Sequence, residues 1–122
     1  MQKITELDQK SPIAEAFRTV RTNISFSDVD NEIQTILFTS TKQNEGKSTV
    51  ISNVAYSFSK LENCKVLLMD LDLRNPSVHK MFGVSNTYGL MDNLKHDRSL
   101  EKCIHKIEEK LGIPVFGVVP KY

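Results

Sequence analysis

Thr41-Lys42-Gln43-Asn44-Glu45-Gly46-Lys47-Ser48, followed by Thr49, is the stretch that decides the fold. It fits x-x-x-x-x-Gly-Lys-Ser, a loop whose backbone amides wrap a β/γ-phosphate while the helix that follows adds its positive end. Lys47 supplies a full charge to the phosphates, the Ser48 hydroxyl is a Mg²⁺ ligand, and Gly46 lets the backbone come close. The loop therefore predicts ATP and Mg²⁺, with residues 41–49 as the nucleotide-binding segment. Two features depart from the usual pattern. Thr41 stands where such loops often begin with glycine, and Asn44 and Glu45 lie inside. Asparagine tolerates left-handed backbone, so the turn is feasible; Glu45 must point outward from a polyphosphate.

Outward from the loop, residues 32–39 hold Ile33, Ile36, Leu37 and Phe38 and predict a buried strand. After it, Val50/Ile51, Val54/Ala55, Phe58 and Leu61 recur on one side of a helix that opens at Ser48. Lys65-Val66-Leu67-Leu68-Met69-Asp70 is a second strand, apolar enough to be covered on both faces. Strand, helix, strand in this order is a βαβ unit, with a right-handed crossover expected. These elements predict a P-loop NTPase-type α/β domain: three layers, α/β/α, around a mainly parallel sheet of about three strands.

The second strand runs into Asp70-Leu71-Asp72-Leu73-Arg74. Alternation along an extended strand puts both carboxylates on one side, at the strand end where parallel α/β sheets bind ligands. Asp70 and Asp72 are thus expected to meet the Mg²⁺ held by Ser48.

The remaining chain reads as connecting structure. Residues 1–10 form a polar lead-in, and residues 11–122 the domain. Ser11-Pro12 starts a helix carrying Ile13, Phe17, Val20 and Ile24, to about Ser25. A short helical piece spans residues 77–82 and closes at Gly83; another follows Gly89. Ser99 caps a helix with Leu100, Cys103/Ile104, Ile107 and Leu111, ended by Gly112, and residues 113–119 form a third strand.

A formal net charge of +1 over 122 residues gives no field for nucleic acid. The two cysteines, Cys64 and Cys103, are far apart and read as reduced thiols. No apolar run approaches the ~18–20 residues that cross a bilayer, so direct membrane insertion is not expected. The expected location is the cytoplasm. The histidines His79, His96 and His105 have no useful mutual spacing and read as surface residues.

Taken together, Phe38-Thr39-Ser40, Gly46-Lys47-Ser48-Thr49, Val54-Ala55 and the run from Leu68 through Asn75-Pro76 resemble the bacterial protein-tyrosine kinases. Among these the likeness is to the cytoplasmic CpsD/CapB type of Gram-positive capsule and exopolysaccharide systems. It spans about residues 11–120. The resemblance implies that Lys47, Asp70 and Asp72 are catalytic, with Ser48, Asp70 and Asp72 as metal ligands. It further implies that Glu15, Arg18 and Arg21 form an oligomerisation motif. By the same likeness ATP and Mg²⁺ are the cofactors, and the substrates are protein tyrosines phosphorylated in trans. A membrane polysaccharide co-polymerase is implied as activator, recruiting the chain to the inner face of the membrane.

The chain departs from that family at one end. A third acidic motif, an apolar strand ending in aspartate, is not found, nor is a tyrosine cluster; the match is to the N-terminal half. Little or no kinase activity is therefore expected of the chain alone. Two other readings stay open. Lys42 falls where the MinD/ParA partition ATPases carry a lysine that reaches a neighbouring nucleotide, although a loop lysine needs no such role. The chain could equally be a non-catalytic module that binds the kinase complex. By residues alone, Glu15 and Arg18 at i, i+3 are a surface ion pair worth a few tenths of a kcal/mol.

Overall fold

The computed structural model describes residues 10–30, 32–42, 46–61, 64–72, 74–85, 89–95, 99–107 and 116–119. The predicted lead-in, Lys10 excepted, lies outside them.

Helix α1 (Pro12–Ser27) begins where its sequence says it should. The Ser11 hydroxyl accepts the Ala14 amide at 3.2 Å, satisfying one of the donors that a helix start leaves open. Pro12 takes the first helical position, where a missing N–H is harmless. The helix packs on α2 (Lys47–Ser59) through Ala14, Phe17 and Arg21. Ile13 and Val20, at the edge of that stripe, stay 59% and 37% exposed.

Helix α2 is buried on nearly every side, including Ser52, Asn53, Ser57 and Ser59. The expected apolar stripe accounts for the side facing the sheet. The serines face other contacts, and their small side chains permit close approach; Ser59 Oγ donates back to the Tyr56 carbonyl at 2.6 Å and Asn53 Nδ2 to that of Thr49 at 2.8 Å. Beyond α2 lie β1 (Val66–Met69), α3 (Val78–Phe82), α4 (Leu90–Lys95), α5 (Leu100–Cys103), β2 (His105–Ile107) and β3 (Phe116–Val119). The core gathers Ala55 and Tyr56 of α2, Leu68 of β1, Val78, Met81 and Phe82 of α3, and Ile107 of β2. Gly83 ends α3 at φ +66°, in the left-handed region that favours glycine.

Among the described residues the sheet has three strands in the order β1-β3-β2. β1 and β3 run parallel, with Val66 opposite Phe116; β2 and β3 run antiparallel, with His105 opposite Val118. The sheet is therefore mixed where a mainly parallel one was expected. The helix expected from Ser99 to Leu111 is also corrected: it stops at Cys103, and the chain turns into strand β2. Cys103 and Ile107 are buried as a helical period would have them, but pairing with β3 overrides that local pattern.

The largest correction concerns residues 32–39. They form no strand, and Ile33, Ile36 and Leu37 are 47%, 44% and 81% exposed. The segment and β1 line cavities of about 450 and 900 Å³ together, and no ladder joins the two. The βαβ unit expected around the loop accordingly lacks its first strand. On β1, Leu68 faces the core while Leu67 and Met69 are 52% and 40% exposed. Among the described residues no second helical layer covers that face.

Candidate functional site

Gly46 enters α2 at φ +82°, and a side chain there would be strained even though the space around it is open. Having no side chain, it leaves the first amides of α2 without a cap from their own N-cap residue. Those amides open onto a cavity of about 380 Å³ lined by Thr41, Lys42, Lys47, Ser48, Thr49 and Asp72 among others. Ser40 Oγ donates to the Lys42 carbonyl at 2.9 Å and shapes the near wall. Gln43, Asn44 and Glu45 lie outside the described residues.

The two aspartates have separate tasks. The strand ends at Met69, and the chain turns rather than continuing extended, because Asp70 Oδ1 accepts the Asp72 amide at 3.0 Å. Asp70 Oδ2 accepts the Ser77 and Val78 amides at 3.0 and 3.2 Å, so this buried carboxylate caps α3. Asp72 Oδ1 accepts the Asn75 and Arg74 amides at 3.1 and 3.3 Å, and Asp72 lines the cavity of about 380 Å³; both aspartates line the cavity of about 900 Å³ beside Lys47 and Ser48. Strand alternation cannot describe this pair, since the turn begins at the first of them.

Sequence reasoning missed Ser77 and Asn75, which also line the cavity. Ser77 Oγ donates to Ser48 Oγ at 2.7 Å, joining the α3 start to the α2 start. The available signal was Asn75-Pro76-Ser77, a turn followed by a capping residue directly after the acidic run.

The donors on the cavity are hydroxyl and carboxylate oxygens, hard ligands that suit Mg²⁺. Among the described residues no three His, Cys, Asp or Glu side chains cluster as a metal cage. Mg²⁺ usually takes one or two protein oxygens, completing its shell with phosphates and water. The residues present fit that requirement.

Glu15, Arg18 and Arg21 sit elsewhere. Arg18 and Glu15 pair along α1, whereas Arg21 donates to the Ser57 carbonyl of α2 at 2.9 Å, a contact within the chain. His79, expected at the surface, is half-buried on α3 with Nδ1 unpartnered among the described residues. Its pKa is lowered, chiefly by burial and then by Lys80, with Asp70 opposing. The fold thus favours the neutral imidazole, while the unfolded chain takes up a proton near the ordinary value of 6.5. Stability from this residue is full above that value and is lost as pH falls below it. Urea midpoints at pH 7.5 and 5.5 should differ more in the native protein than in His79→Gln; equal differences would remove His79 as the cause.

With this geometry in hand, the class follows from the match of residues 31–118 to the ParA model, described as NUBPL iron-transfer P-loop NTPase. The chain belongs to this family of P-loop NTPases. Its likeness to bacterial tyrosine kinases is borne out as well. It is 40% identical over 118 residues to the tyrosine-protein kinase YwqD of Bacillus subtilis, covering 96% of this chain and 49% of that protein. It is 35% identical over 112 residues to the putative tyrosine-protein kinase CapB of Staphylococcus aureus, covering 91% and 49%. The crystal structure of the chimerical protein CapA2B2 superposes with a TM-score of 0.80 at 33% identity, covering 98% of this chain and 52% of that one. The chain thus spans about half the length of these relatives. No helix among the described residues is long and apolar enough to cross a membrane.

Proposed function

We propose that this chain is the nucleotide-binding half of a bacterial tyrosine-kinase domain that takes ATP with Mg²⁺ and serves capsule or exopolysaccharide synthesis. The observation that carries the reading is the convergence of the α2 start, Lys47, Ser48 and Asp72 on one cavity. Amides at the start of α2 and the Lys47 ammonium bind and orient the β- and γ-phosphates. Ser48 Oγ and the Asp72 carboxylate would hold Mg²⁺, whose contribution is to neutralise phosphate charge. Asp70 keeps the turn bearing Asp72 in place. Glu15 and Arg18 on α1 serve self-association, and the activating partner is a membrane polysaccharide co-polymerase like the one implied by the kinase resemblance.

Phosphoryl transfer of this kind depends on positioning and charge neutralisation, and among the described residues Asp72 is the carboxylate on the phosphate cavity while Asp70 is engaged by three amides, so the site binds better than it catalyses. Calorimetric titration of the purified chain should give saturable ATP binding, and incubation with labelled ATP should leave little phosphotyrosine. No saturation would sink the reading; strong tyrosine labelling would overturn the prediction of low activity. A second reading, a ParA-like ATPase, is favoured by the family match and by Lys42 on the cavity wall. Its signature would be ATP hydrolysis without phosphotyrosine, lost in Lys42→Ala.

A further inference from the structure

We infer that Ser77 is a positioning residue for the Ser48 hydroxyl, and through it for Mg²⁺-dependent nucleotide binding; the inference rests on the nucleotide-site reading above. A serine at a helix N-cap ordinarily turns its hydroxyl back onto the helix's own second or third amide. Ser77 stands at the start of α3 and makes no such bond. The start of α3 is held by other groups: Asp70 accepts the Ser77 and Val78 amides with one carboxylate oxygen, and the Ser77 carbonyl accepts the Lys80 amide at 3.1 Å. The Ser77 hydroxyl is thereby free to leave its own helix and donate to Ser48 Oγ at 2.7 Å, across 29 residues of sequence. Both hydroxyls line the cavity that Asp72 and Asn75 share.

The contact runs from Ser77 as donor to Ser48 as acceptor. A serine oxygen has two lone pairs and one proton. With one lone pair of Ser48 accepting from Ser77, its side-chain rotamer is fixed and the second lone pair remains for a cation. Donation into an oxygen also polarises it in the sense that favours a cation ligand. The chain of contacts runs Asp70, Ser77, Ser48. The buried carboxylate therefore acts on the site at one remove, and Ser77 is the link between them.

The test is ATP titration of the whole chain in MgCl₂ and in EDTA, for the native protein, Ser77→Ala and Ser77→Thr. The native protein should bind more tightly with Mg²⁺. Ser77→Ala should reduce that Mg²⁺-dependent gain by roughly five-fold, the scale of one hydrogen bond, and leave affinity in EDTA unchanged. Ser77→Thr, which keeps the hydroxyl, should restore the gain. A full gain in Ser77→Ala overturns the inference. Equal losses in MgCl₂ and EDTA also overturn it, because Ser77 would then support the phosphate cradle or the fold rather than the cation ligand. ATP binding absent from the native protein defeats the nucleotide-site reading itself, a result distinct from either.

Discussion

Lys47→Ala is expected to weaken ATP binding by roughly ten- to a hundred-fold, the scale of charge-assisted hydrogen bonds to phosphate. Lys47 is half-buried at the first position of α2 and lines the phosphate cavity. A partly desolvated ammonium there interacts with a polyphosphate more strongly than a fully hydrated one. Alanine is the best helix former, so the substitution should leave α2 and the thermal midpoint of the nucleotide-free protein in place. Salt supplies a second reading: native affinity should fall as salt rises, and the variant should respond less. Unchanged ATP affinity in Lys47→Ala would remove the lysine from the site.

Asp70→Ala should destabilise the fold by about 3 kcal/mol, combining the loss of a helix cap with buried donors left unsatisfied. Three amides, those of Asp72, Ser77 and Val78, lose their acceptor at once, and Val78 belongs to the core. Asp72→Ala removes the acceptor for Arg74 and Asn75, which are exposed, so water can replace it. Its cost should be about 1 kcal/mol. Binding reverses the ranking, because Asp72 lines the cavity and should carry more of the direct Mg²⁺ effect. Urea unfolding measures the first ordering and Mg²⁺-dependent ATP titration the second. Equal destabilisation by the two substitutions would contradict the division of labour between these aspartates.

Elements governed by local chemistry were legible in the sequence. Ser11-Pro12 marks the start of α1, Gly83 the end of α3, and the Gly46-Lys47-Ser48 run the start of α2. Each depends on a cap or a backbone preference that neighbouring residues determine. Elements governed by pairing were not. Residues 32–39 have the composition of a strand, but a strand needs a partner edge, and no ladder joins them to β1. Cys103 and Ile107 fit a helical period, yet the chain between them joins an antiparallel ladder with β3. The site divides in the same way. Lys47, Ser48 and Asp72 could be named from spacing, because the loop and acidic run carry them. Ser77 could not, since the turn held by Asp70 delivers it to Ser48. Nor does periodicity reveal that Asp70 and Asp72 have different partners.

The bond from Arg21 to the Ser57 carbonyl clasps α1 to the rear of α2. From Ser57 back to Lys47 the helix is continuous over eleven residues, a stiff rod about 15 Å long at 1.5 Å per step. Whatever grips α1 from outside therefore holds one end of a lever whose other end carries the phosphate-facing amides, Lys47 and Ser48. Arg21→Ala would leave both helices formed and remove one tie between handle and shaft, with Ala14 and Phe17 still packed.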